Sequence, residues 1–257
     1  MAFVRDEFKL LAKLLVPVVG LSQAAVVLSR RDWLTGSQGE ETWLRSVSTS
    51  GVYGSSNFSA GQAWAAIAWS LASIVIAGTV AIVIHRWLTQ PQARLTPKSL
   101  GVLVIRRMPV IIGVWIVTHL VELAGFLYLS VLIVPVVAVT LPVALFESLG
   151  PWKAVRRSMH LAHGRYWSIT GPLLLVTLAC VGVSAAAAVV PGRITDLLGI
   201  TPDWWVWWIV GTATASVTMP VIGATSAFLY LDLRSRLEGL DIELDLVDCF
   251  GVPNARR

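Results

Sequence analysis

The chain has 257 residues, of which 56% are hydrophobic and 14% charged, with a mean hydropathy of +0.73 and a formal charge of +5. A soluble domain carries about 25% charged residues, so this composition excludes an ordinary water-soluble globule and points to lipid as the solvent. The basic residues stand at the ends of apolar runs, with none of the Lys/Arg-rich tracts interleaved with aromatics that nucleic-acid binding uses, so no nucleic-acid partner is expected.

Crossing about 30 Å of hydrocarbon at about 1.5 Å per residue takes about 20 mostly apolar residues. The first such run is 10–29. Arg5 before it and Ser22-Gln23-Ala24 within it have the look of a secretory signal. Asp6, Glu7, Lys9 and Lys13 do not suit one, and an uncleaved first helix is expected. The loop that follows is the longest, and its second half is rich in Ser and Gly, the composition of a flexible linker. The second span is 62–84. A continuous apolar stretch then holds two spans, 108–124 and 127–146, joined near Gly125; a re-entrant hairpin would return to the same side equally well. The last spans are 167–190 and 204–231. The expected fold is all-α: a polytopic membrane protein of about six transmembrane helices over 1–231, followed by a cytoplasmic amphipathic tail over 232–257.

Charge orients this arrangement. With the N-terminus in the cytoplasm, sixteen of the twenty Lys and Arg residues fall in cytoplasmic segments; Arg30, Arg31, Arg45 and Arg193 fall outside. Positive residues stay on the cytoplasmic side, so both termini are expected there. Trp204, Trp205, Trp207 and Trp208 suit the outer interface, and Trp87, Trp152 and Trp167 the inner one, since indole is apolar with one polar N–H.

Between the fourth and fifth spans, Pro151 suits the first turn of a helix and Gly164 its end. Trp152, Val155, Met159 and Ala162 recur at helical spacing, with Lys153, Arg156, Arg157 and His160 opposite and Arg165 just beyond. This is a short basic amphipathic helix at the membrane surface, a candidate docking site for anionic lipid or a partner protein, or else simply a topology anchor. In the tail, Leu233, Leu237, Leu240, Leu244 and Val247 are spaced 4, 3, 4, 3 and form one helical stripe, flanked by Glu238, Asp241, Asp245 and Asp248. That stripe is expected to pack on protein, with a break at Gly239. His119 and Glu122, three residues apart in the third span, are the intramembrane polar candidates.

No phosphate-binding Gly-rich loop, nucleophile elbow or HExxH motif occurs. The four histidines and two cysteines do not make a ligand set, so no metal, cofactor or catalytic residue is expected.

The pattern Pro142…Glu147-x-x-Gly150-Pro151-x-x-Ala154-x-x-Arg157-Ser158-x-x-Leu161-x-x-Gly164-Arg165-x-Trp167 resembles the membrane domain named after glycerophosphoryl diester phosphodiesterase. The ending Tyr230-x-Asp232-x-Arg234-x-Arg236-x-Glu238-Gly239-x-Asp241 is similar to the close of that domain. The resemblance covers the third to sixth spans. It implies the membrane module alone, without the soluble phosphodiesterase domain, and a bacterial plasma membrane location. The expected function is a non-catalytic module that docks partner proteins or anionic lipid on its cytoplasmic face. The alternatives are a permease-like transporter subunit and, third, an intramembrane lipid enzyme, for which the sequence displays no nucleophile–base pair.

Overall fold

The computed structural model describes residues 2–28, 60–90, 96–125, 130–198 and 204–239. They form seven helices: α1 (Ala2–Leu28), α2 (Ala60–Thr89), α3 (Pro97–Gly125), α4 (Ser130–Phe146), α5 (Pro151–Ala162), α6 (Tyr166–Leu198) and α7 (Trp204–Glu238). The described residues contain no strand. Five helices, α1, α2, α3, α6 and α7, are long and apolar enough to cross a membrane. The sixth expected span is α4, shorter at 17 residues. The polytopic all-helical architecture therefore stands.

The helices overrun the apolar runs. α3 begins at Pro97, well before residue 108, because Arg106 and Arg107 interrupt the hydrophobic run without interrupting the helix. A helix closes its own backbone hydrogen bonds, so it continues across the lipid boundary into water. α7 likewise runs unbroken past residue 231 to Glu238 and stops where Gly239 takes φ of +64°, the left-handed cap that glycine supplies without strain. Exposed Trp64 and Trp87 mark the interfacial levels on α2. They are 23 positions apart, about 35 Å along the axis, which matches a bilayer's hydrocarbon with its rims.

α7 is the centre of the bundle, packing on α1, α2, α4, α5 and α6. It lies so close to α2 that a Cβ on Gly223 would stand 2.8 Å from Ala77 Cα. With no hydrophobic force between helices in lipid, close backbone approach of this kind is what holds spans together. α4 is the most enclosed element: every residue from Val139 to Leu145 is buried among α2, α3, α5, α6 and α7. That explains why its sequence is apolar on all sides. Spans successive in the chain alternate in direction. The start of α1 lies by the start of α3, where Leu14 meets Gly101, while the ends of α2, α4 and α7 share a cluster of His85, Phe146 and Tyr230 rings. At the far end, Trp208 Nε1 donates to the Gly20 carbonyl at 2.9 Å.

Candidate functional site

The ends of α2, α4 and α7 and the starts of α1 and α3 gather the basic residues at one end of the bundle. Of the described Lys and Arg residues, Arg193, on the last turns of α6, lies at the other end. The site is built on the turn from α4 into α5. Ser148 takes φ of +53° there, and Arg107 Nη2 of α3 donates to its hydroxyl at 3.2 Å. α5 then starts at Pro151, which supplies a preset φ and lacks the N–H that a first turn leaves unpaired. It ends at Ala162, with Gly164 at φ of +74° in the turn beyond.

α5 folds back onto the bundle. Ser158, fully buried, lies 2.9 Å from the Thr140 hydroxyl and donates to the Val136 carbonyl at 3.0 Å. Its buried face is Ala154, Val155, Ser158, Leu161 and Ala162. The expected apolar stripe is therefore only half right: Val155 and Ala162 go in, while Trp152 is 70% exposed and Met159 48%. Polar Ser158 takes their place because α4 offers it two partners, and a paired hydroxyl costs little to bury.

Arg157 also leaves the exposed face. Its Nε donates to Glu147 Oε2 at 3.2 Å and Oε1 at 3.3 Å, and its terminal nitrogen donates to Glu238 at the end of α7. Glu238 in turn accepts from Arg234 Nε at 3.4 Å; Arg234 reaches the Tyr230 hydroxyl at 3.4 Å; Tyr230 donates to Glu147 Oε1 at 3.1 Å. The five side chains form a closed ring of two carboxylates, two guanidiniums and a phenol, with no net charge. Burial works against the charge on Arg157, but the hydrogen bond and charge of Glu238, with those of Glu147, outweigh it and hold the guanidinium above its ordinary range. Phe146 packs edge-on against Tyr230 at 5.1 Å, and His85 lies 4.8 Å from Phe146, roofing the ring from α2.

The other predicted basic residues stay outside. Lys153, Arg156 and His160 are exposed, Arg165 is half-buried, and among the described residues no carboxylate pairs with Lys153 or Arg156. Trp152, Arg156, Met159 and His163 follow one another along one stripe of α5, and exposed Trp167 continues the surface onto α6. The result is a mixed aromatic and cationic surface on a helix fastened to the bundle.

Comparison with family models, with curated proteins and with solved structures yields no match to this chain.

The tail stripe divides. Leu233 is buried at 2% exposure, Leu237 is exposed at 45%, and Leu240 and Leu244 lie outside the described residues. Among the described residues no group of three metal-ligating side chains forms. The intramembrane candidate His119 has a partner absent from the sequence reading: Ser70 of α2, whose Oγ lies 2.9 Å from His119 Nε2. The two positions are 49 residues apart on adjacent helices, a separation at which no motif would join them. The side chain of Glu122 lies outside the described residues.

Proposed function

We propose that this chain is a multi-pass module of the bacterial plasma membrane whose basic end faces the cytoplasm and docks anionic lipid headgroups, with a protein partner engaged beside them. One observation carries the reading: the neutral ring removes Arg157 from the surface, yet α5 keeps Lys153 and Arg156 unpaired next to exposed Trp152 and Met159. Cations beside interfacial aromatics suit phosphate headgroups above acyl chains. The likeness to the glycerophosphoryl diester phosphodiesterase membrane domain belongs to the same proposal. Its two motif segments supply all five ring members, Glu147 and Arg157 from one and Tyr230, Arg234 and Glu238 from the other. The ring thus gives those positions a shared physical task.

Each surface cation contributes about 1 kcal/mol of attraction to an anionic leaflet. Lys153→Gln combined with Arg156→Gln should cost about 2 kcal/mol of affinity for vesicles containing phosphatidylglycerol. The protein should remain folded, because neither side chain carries a structural contact. Native mass spectrometry of parent and double variant reads the bound anionic lipid; equal retention by both would sink the lipid-docking reading.

A further inference from the structure

Toward the opposite end of the bundle, α2 and α3 bring three polar side chains together on a surface that otherwise faces lipid. Ser70 Oγ lies 2.9 Å from His119 Nε2, and His119 Nδ1 lies 2.9 Å from the carbonyl oxygen of Trp115, one turn earlier on α3. A carbonyl only accepts, so Nδ1 carries a hydrogen. In the neutral ring, Nε2 is then the lone pair that accepts from the Ser70 hydroxyl. Trp115 Nε1 donates to Ser70 Oγ at 2.9 Å. The arrangement is that of a nucleophile, a base within hydrogen-bond reach and an acceptor that fixes the base's tautomer. An N–H donor stands beside the attacking oxygen.

The setting decides what could reach it. His119 and Leu120 are exposed, and Ile112 and Ile116 of α3 and Ile67 of α2 are exposed nearby on their helices. Ser70 is six positions below Trp64, about 9 Å along the axis from that interfacial level. With the Trp64 and Trp87 levels about 35 Å apart, Ser70 lies about 6 Å inside the hydrocarbon, among the upper acyl chains, so what reaches it is a lipid whose ester dips from its usual level rather than a water-borne metabolite.

We propose that Ser70 and His119 form an acyl-transfer site for ester-linked lipids that enter sideways from the bilayer. Ser70 Oγ attacks the ester carbonyl carbon as its proton passes to His119 Nε2. The carbonyl becomes an oxyanion next to the Trp115 N–H. The bond to the alcohol oxygen breaks, and the imidazolium returns its proton to that oxygen, leaving a serine ester and a free alcohol. Water from the nearby interface then adds to the serine ester, His119 taking its proton and returning it to Ser70 Oγ, and a fatty acid departs. The alternative, three polar groups that merely satisfy one another against lipid, needs the same contacts but no reactivity.

A long-chain alkyl fluorophosphonate separates the two. Incubated with the full chain in detergent, it should phosphonylate Ser70 with loss of fluoride, located by peptide mass mapping. Ser70→Ala should abolish the adduct, and His119→Gln should slow its formation by at least about a hundredfold. No adduct at Ser70 in the unaltered chain would overturn the proposal without requiring any variant to fold. Labelling of His119→Gln at the parent rate would overturn it as well.

Discussion

Pro151 occupies the space that a side chain at position 113 would need. A Cβ on Gly113 would stand 2.5 Å from Pro151 Cγ, closer than packed carbons tolerate, and Pro151 is the rigid first residue of α5. Gly113→Ala should therefore destabilise the protein by about 1–3 kcal/mol, read as a lower unfolding temperature in detergent. Glu147 is the other single residue with a large task, because it accepts from both Arg157 and Tyr230. Glu147→Gln removes the charge that faces Arg157 and should cost about 1–2 kcal/mol, a modest figure because the ring is partly open to water. The sign of any pH effect follows from the raised pKa of Arg157. Its contribution is complete at every pH below the ordinary guanidinium range and is lost only in strong alkali, so Arg157 itself should add no pH dependence to stability across the neutral range. These partnerships were not legible in the sequence. Residue types mark a carboxylate or a histidine as costly in lipid, but the partner that offsets the cost sits on another helix.

At the scale of the element, hydrophobic runs located the five long apolar helices, and Pro151, Gly164 and Gly239 marked helix boundaries that the structure keeps. Which face of α5 goes inward was only half legible. A hydrophobic stripe identifies the buried face when water covers the other one. Near lipid, Trp152 and Met159 are comfortable outside, and Ser158 goes inside because Thr140 and Val136 receive it. The end of α7 shows the same limit. Leu233 and Leu237 belong to one sequence stripe, yet only Leu233 is buried. Leu233→Ser should cost about 2–5 kcal/mol, whereas Leu237→Ser should stay within about 0.5 kcal/mol of the parent. Thermal unfolding of the two variants side by side checks this; equal losses would mean that the outer part of the stripe is covered as well.

For the whole molecule, composition and charge distribution carried most of the architecture, because lipid leaves the backbone few choices other than the helix. The alternating directions of the spans follow from the same patterning, and the structure places the starts of α1 and α3 and the ends of α2, α4 and α7 at the basic end. Orientation in the cell is a separate, testable matter. With Cys180 and Cys249 replaced, a single cysteine at exposed Arg193 should react with a membrane-impermeant maleimide on intact cells. One at exposed His163 should react only after permeabilisation. Reaction of both on intact cells would defeat the orientation with the basic end inside.

The central position of α7 also sets a timetable. It is made after all the helices it joins, so Gly20, Ala77 and Glu147 wait for Trp208, Gly223 and Tyr230 to leave the ribosome. At about 5–20 residues per second, the 35 residues of α7 arrive over a few seconds. During that interval α1, α2 and α4 sit in the bilayer without their common neighbour, and both carboxyl and guanidinium groups of the α4–α5 turn lack half their partners. A ribosome stalled before Trp204 would leave a chain that is inserted yet unassembled, with Arg157 and Glu147 still paired to each other but without Glu238 and Tyr230.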